Sequence, residues 1–446
     1  MFNLQAFISI FSLVLSVLPE IYNMAMISNY GSMVQVAGLG LGVMFINMFV
    51  FGAFEGLNGA IDTLVSQYYG TGDYEGCNLI FNRARVINSV LFIPVAILFL
   101  SSKEILIFLD QDTEVAIVAG KFLIFQIPGM FIFVHFDTLR RYIQAMGHFN
   151  VLLQDCLWGA LFHISVLWML LKYVEGDPVI ICSIVWNLTI MIYYILLMYF
   201  ARDILKEVNK LPVFEGAFTG WWSYLSLALP SGFIICCEWW MYEVLTILTG
   251  WIGVTELATL VIIFNTHNFV YDFSYGLSQA TSSAIGRALA EFGKVEAQKF
   301  LKYIMSIEAL ICILMTSLYL LLFPQEAIGV FSEEKDVTQL FMDSLYYIIF
   351  MIVFDSVQIV IGGVIRGIGE QIESSVASFI SHCAITLPSA VILAFPVGMG
   401  LQGIILGYIL GIFGNTVMNT YLLIKSDWEL KIEETEDLGF VRIDMD

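Results

Sequence analysis

Charge is what this 446-residue chain has least of: 13% of its residues are Asp, Glu, Lys or Arg, where a soluble domain carries about 25%. A water-facing surface cannot be built from so few, so most of the surface is expected to face lipid. Histidine is also scarce (five residues), and there is no HExxH and no GxxxxGK[ST]. A zinc hydrolase and an ATP-driven pump are therefore not expected. The seven cysteines are an odd number without a CxxC pair, which gives neither a zinc ribbon nor a disulfide framework; most lie in apolar runs and read as small packing residues. No basic stretch leading into a cleavage motif opens the chain, so the first hydrophobic run reads as a span rather than a removable signal.

What the chain has instead is 59% hydrophobic residues, 35 glycines and a net charge of −20. The negative charge is spread over short loops and the last twenty residues rather than gathered on one face. A nucleic-acid partner is not expected. Runs of about 20 mostly apolar residues, the length that crosses a bilayer, occur twelve times: 4–28, 33–62, 83–101, 114–140, 149–173, 178–200, 222–249, 255–285, 301–323, 337–364, 371–394 and 400–424. Some contain Pro or Gly, which lipid-embedded helices tolerate when neighbours satisfy the freed backbone groups. The expected fold is an all-α membrane protein of twelve transmembrane helices in two six-helix bundles. Residues 1–200 make the N-lobe, 201–221 an inter-lobe loop and 222–424 the C-lobe. Residues 425–446 form an acidic tail.

Cytoplasmic loops are enriched in Lys and Arg. With the N-terminus inside, 15 of the 19 Lys and Arg fall on the inner side, Lys210, Lys431 and Arg442 among them. Lys103, Lys121, Lys172 and Lys335 fall on the other. Both termini are thus expected in the cytosol, of a plasma membrane or an internal one alike. A half-repeat is also visible. Gly56-Leu57 with Ala60 recurs as Gly276-Leu277 with Ala280, and Gln144-Ala145-Met146-Gly147 resembles Arg366-Gly367-Ile368-Gly369. An even number of helices per repeat relates the halves by an axis along the membrane normal, an arrangement that can rock about a central cavity.

Three segments carry a family resemblance. Gly56 to Gly72, with Asp62-Thr63, Gln67 and Gly70-Thr71-Gly72, is similar to the signature at the end of the second helix of MATE (multidrug and toxic compound extrusion) proteins. Leu229-Pro230-Ser231 followed by Glu238-Trp239-Trp240-Met241-Tyr242-Glu243 resembles the seventh helix of their eukaryotic members. Asp355 through Gln358 to Arg366-Gly367-Ile368-Gly369 resembles the tenth. The resemblance implies a two-lobed, twelve-helix exporter that exchanges substrate for H⁺ or Na⁺, with H⁺ usual in eukaryotic members. The chain departs from it at Asn23, where prokaryotic relatives place a coupling Asp, and at Asp272, which has no counterpart in the pattern. The ion site is accordingly expected in the C-lobe.

A carboxylate at the bilayer centre costs about 2.5–3.5 kcal/mol to insert. There a proton and a cationic substrate compete for one negative charge. Glu238, sixteen residues into the seventh span, has Trp239, Trp240 and Tyr242 beside it, and their ring faces suit an organic cation. Glu243 is five positions on, about 140° around the helix, so one of the two carboxyls faces a cavity and the other a neighbouring helix. Asp355 reads as an unpaired acid in the tenth span, with Gln358 on its stripe and Arg366 about 16 Å along the axis. Asn265, Thr266, His267 and Asp272 in the eighth span are expected in reach of the C-lobe cavity. Asp137 reads as an ion pair with Arg140 and Arg141, Asp62 as a cap or inter-helix bond, and Glu20 as a solvated residue at the outer end of the first span. His135, His163 and His382 read as packing residues.

The reading that follows is efflux of cationic or amphipathic organic molecules in exchange for H⁺, with Glu238, Asp355 and Glu243 as coupling groups, by a monomer with no enzymatic activity and no cofactor beyond the coupling ion. Its rivals are a flippase for lipid-linked precursors, which needs a basic cavity for phosphate, and a channel, which needs polar rings along a pore, or a non-transporting scaffold.

Overall fold

The structure, a computed structural model, describes residues 2–208, 215–322 and 334–428. Most of the acidic tail, Lys210, Lys431 and Arg442, and the side chain of Cys312 lie outside the described residues. Among the described residues, twelve long helices follow one another: α1 (Phe2–Tyr30), α2 (Met33–Thr71), α3 (Tyr74–Leu100), α4 (Thr113–Ala145), α5 (Phe149–Tyr173), α6 (Pro178–Phe200), α7 (Trp221–Gly250), α8 (Val254–Phe292), α9 (Lys294–Leu322), α10 (Leu345–Ile368), α11 (Gln371–Ala394) and α12 (Leu401–Lys425). Ten of them are, among the described residues, long and apolar enough to cross a membrane by length and composition. The helices outrun their hydrophobic stretches mostly on the Lys/Arg-rich face. There α2 reaches Thr71, α3 starts at Tyr74 and α8 continues to Phe292.

Large apolar side chains such as Phe7, Ile93, Trp158, Leu161, Phe350 and Val417 are exposed on the outer surfaces of these helices. In water they would be a liability; against lipid tails they are the expected covering. Polar groups turn inward instead. Asp62, Asp137, Asp155, Arg141, His163, Glu308 and Asp355 are each almost completely buried. Asp177 starts α6 by accepting the Val179 N–H and ties that end to α2 and α4 through Gln35 (3.0 Å) and Lys121 (2.8 Å). Two wide π turns interrupt the helices, at Asn47–Phe51 in α2 and Ile380–Thr386 in α11. The second lies just before Pro388, whose ring cannot fit against the carbonyl four residues back in a regular α turn.

The two halves repeat in three dimensions. Gly72 and Gly293 end α2 and α8 with φ of 80° each, and Gly147 and Gly369 follow α4 and α10 with φ of 87° and 84°. These positive-φ stops favour glycine, which has no Cβ to clash. Gly56 of α2 packs on α7, where a Cβ would meet the Gly232 Cα at 2.5 Å. Its counterpart Gly276 of α8 packs on α1, where a Cβ would meet the Ile10 Cα at 2.6 Å. The repeated Gly-Leu step thus marks a close approach of helices from the two lobes in each half.

Many of the hydrogen bonds between the lobes lie toward the Lys/Arg-rich face. Thr63 Oγ1 donates to the Arg366 carbonyl, and Gln67 Nε2 reaches the Gly367 carbonyl (3.2 Å). Gln371 Nε2 donates to Thr63 Oγ1 (2.6 Å), Arg287 to the Ala145 carbonyl (2.8 Å) and Tyr224 to the Leu57 carbonyl (3.2 Å). This side is closed.

Candidate functional site: an acid-lined cavity and a sealed carboxyl pocket

Between the lobes lies a cavity of about 580 Å³, walled by α1, α2, α4, α5, α6, α7 and α8. Its volume is in the range of drug-sized ligand sites, roughly 300–1,000 Å³. Four carboxyls line it: Glu20 from α1, Glu55 from α2, Glu243 from α7 and Asp272 from α8. Asp272 interacts electrostatically with both Glu55 and Glu20 across the gap between lobes. The only basic side chain on this wall among the described residues, Arg140, is held by Asp137 through Nε (2.9 Å) and Nη2. The cavity is therefore acidic in character. Trp186, Trp239, Trp240, Tyr242 and Tyr271 supply aromatic faces to it, and Asn265 a polar edge.

Glu238 is not on this wall. It is 7% exposed and faces a separate pocket of about 40 Å³ inside the C-lobe, shared with Gln358, Arg366, Asn415 and Asn419. That volume has room for a water molecule or two. One Glu238 oxygen, Oε1, has no hydrogen-bond partner in the protein. Arg366, although in the pocket, donates to Ser278 Oγ (2.8 Å) and leans toward Asp62 (3.8 Å). Asp355 is fully buried nearby and interacts electrostatically with Glu238. Its Oδ2 lies 2.8 Å from His267 Nε2, while Oδ1 and His267 Nδ1 have no hydrogen-bond partner. Such a geometry favours the tautomer of neutral His267 that carries its hydrogen on Nε2, since a hydrogen on Nδ1 would be buried without an acceptor.

Tyr271 and Tyr275, stacked 5.6 Å apart, line both the cavity and the pocket. Trp239 hydrogen-bonds to Tyr271. The two rings and the indole thus form the partition between a site open to ligands and a site that is closed.

Several expectations change. Glu238, Asp355 and Gln358 do not share a cavity with Glu243, Trp239, Trp240 and Tyr242; the 140° step around α7 sends the two glutamates to opposite sides of the partition. Asp355 is not unpaired, because His267, placed by sequence in the cavity, turns inward to meet it. Thr266 also leaves the cavity and donates to carbonyls of its own helix, at Ile262 and Ile263 (2.9 Å each). Glu20 is a cavity residue, hydrogen-bonded to Asn47, rather than a solvated one. His163 joins Asn23 (3.1 Å) and Thr189 (2.8 Å) in a buried N-lobe network.

Glu55, Tyr271 and Tyr275 were missed. The second span read from the sequence ends at residue 62; in a helix that runs to Thr71, Glu55 lies near the middle. Glu308, fully buried in α9 and accepting the Ser274 hydroxyl (3.1 Å), was missed as well. Its signal was a lone acid midway along an apolar run.

The MatE family model matches residues 9–169 and 230–392. Multidrug and toxin extrusion protein 2 of Oryctolagus cuniculus is 29% identical over 417 residues, covering 90% of this chain and 67% of its own length. Protein DETOXIFICATION 10 of Arabidopsis thaliana is 27% identical over 427 residues, or 94% of this chain and 86% of its own. The crystal structure of the eukaryotic MATE transporter AtDTX14 superposes with a TM-score of 0.87 at 23% identity, covering 97% of this chain and 96% of that one, a likeness that shows the fold. With two family segments spanning both lobes of a twelve-helix bundle, the chain belongs to the MatE family of multi-pass membrane transporters.

Proposed function

We propose that this MatE protein exports cationic or amphipathic organic molecules in exchange for H⁺, acting as a monomer with both termini in the cytosol. One observation carries the reading: an acidic, aromatic cavity lies against a closed carboxyl pocket across a shared wall of Tyr271 and Tyr275. A cation is held in the cavity by Glu243 and Asp272 and by the faces of Trp239, Trp240 and Tyr242. The proton is taken by the pocket, by Glu238 and by the His267–Asp355 pair. The sequence reading had both compete at one carboxylate. The partition makes them act through a wall instead, as two sites with a coupling free energy.

With the Lys/Arg-rich face in the cytosol, the closed side is the cytosolic one and the cavity belongs to the outward form. Protonation of the pocket from outside removes negative charge behind the wall and weakens the hold on the cation, which leaves. Rocking of the lobes then exposes the cavity to the cytosol, where loss of the proton restores affinity. The pairing of Asp355 with a nitrogen donor supports H⁺ over Na⁺, since His267 Nε2–H occupies a position where Na⁺ would need an oxygen ligand. The acidic lining does not suit a phosphate-bearing lipid precursor.

The test uses purified protein in proteoliposomes with a panel of labelled organic cations and anions. An acidic vesicle interior is expected to drive accumulation of cations above their external concentration, and a Na⁺ gradient at equal pH to drive none. Accumulation driven by Na⁺ alone would remove the proton from the account.

A further inference from the structure

The end of the cavity nearest the Lys/Arg-rich face differs in chemistry from the acidic end. Three nearly buried side chains on its wall carry donors with no partner in the protein: Gln144 Nε2, Gln279 Nε2 and the Tyr193 hydroxyl. Their residues are 1%, 2% and 8% exposed. They belong together. Gln144 is one turn beyond Arg140 on α4, and Arg140 Nη1 donates to Gln279 Oε1 (3.4 Å). That contact fixes the Gln279 amide so that Nε2 is left for another acceptor. Tyr193 stacks on Phe136, one turn before Arg140, at 5.7 Å. The positive charge of Arg140 is already matched by Asp137, which also accepts from Asn58 Nδ2 (2.7 Å). Asp155, also buried, interacts electrostatically with Arg140 and Tyr193, so no excess positive charge accompanies these N–H and O–H donors. Buried donors of this kind cost about 1–3 kcal/mol each when no acceptor meets them.

Resting on the transport reading above, we propose that these donors form a second subsite, which takes a neutral hydrogen-bond acceptor on a substrate whose cation is held by Asp272. The acceptor is a carbonyl, ether or N-oxide oxygen. A carboxylate is disfavoured, because dipoles alone do not replace its hydration. α8 itself sets the spacing: Asp272 and Gln279 are seven residues apart, on one face and about 10 Å along the axis. Asp272 makes no ion pair among the described residues, so its charge is available to the ligand. The cavity is thus a ruler for elongated molecules, cationic at one end and accepting at the other.

Two probes of equal charge test this, a quaternary ammonium with a plain alkyl chain and one with a chain of the same length ending in an amide carbonyl about 10 Å from the nitrogen. Binding is measured by calorimetry on the purified full chain in detergent, and uptake in proteoliposomes. The carbonyl probe is expected to bind about tenfold more tightly, the worth of one or two hydrogen bonds. In Gln279→Leu that ratio is expected to fall to about one. Tyr193→Phe, which removes only a hydroxyl with no protein partner, is expected to lower it part of the way and guards against a folding defect in the first variant. Equal affinities in the wild type, parallel losses for both probes in both variants, or no binding of either probe would overturn the subsite. A preference in binding without uptake would keep the subsite and overturn the transport reading. Uptake without a preference would do the reverse.

Discussion

Glu238→Gln is expected to reduce pH-gradient-driven accumulation to the level of protein-free vesicles while the protein still folds and inserts. The substitution keeps the volume and removes the one carboxyl that lines the C-lobe pocket among the described residues, whose Oε1 has no hydrogen-bond partner. In the wild type, protonation of the pocket and occupation of the cavity oppose each other. Each coupled proton then weakens cation binding by up to about tenfold per pH unit as pH falls, because one proton bound or lost is worth 2.303RT per unit. The variant is fixed in the uncharged form of this site. Its affinity is expected to match that of the wild type at low pH and to lose most of its pH dependence. Equilibrium binding of one cation between pH 5 and 8 on both proteins gives the comparison. An unchanged pH slope would assign the coupling to another group, with the His267–Asp355 pair first in line.

The second large effect is on stability. Arg141→Met is expected to destabilise the chain by about 3–5 kcal/mol, the usual result of breaking a buried ion pair from one side. Arg141 is 1% exposed; it bonds Asp62 (2.8 Å) and the Tyr275 hydroxyl (3.0 Å), and it approaches Glu55 (3.6 Å). It therefore neutralises acids of α2 and at the same time reaches across to α8 of the other lobe. Without it Asp62 keeps only the more distant Arg366 (3.8 Å). A thermal melt of the detergent-purified protein reads the loss, and Asp62→Asn in the same chain is expected to recover part of it. A melt unchanged by Arg141→Met would mean that these carboxyls are satisfied elsewhere.

The same residues show why the site was only partly legible in the sequence. Span positions follow from the length a bilayer imposes, and three of them, 149–173, 178–200 and 371–394, match helices to the residue. The repeat was legible because a helix stop in left-handed backbone and a close helix crossing each require glycine, which leaves its mark at fixed positions. The division into cavity and pocket left no such mark. Which side of α7 faces the lobe interface depends on how the other helices pack around it, and Glu238 and Glu243 look alike in the chain. His267 is a lone histidine in sequence and a partner of Asp355 only once α8 lies against α10. The Nε2 groups of Gln144 and Gln279, which have no partner in the protein, likewise become meaningful only when the facing wall is known.

Proton counterflow tests the central claim most directly. Vesicles holding the wild-type protein and a pH-sensitive dye, with no imposed pH or electrical gradient, are given an organic cation on the outside. Entry of the cation is expected to drive protons out and raise the internal pH, and Glu238→Gln vesicles are expected to show no change. Cation entry with a constant internal pH in the wild type would contradict exchange and leave a passive pathway.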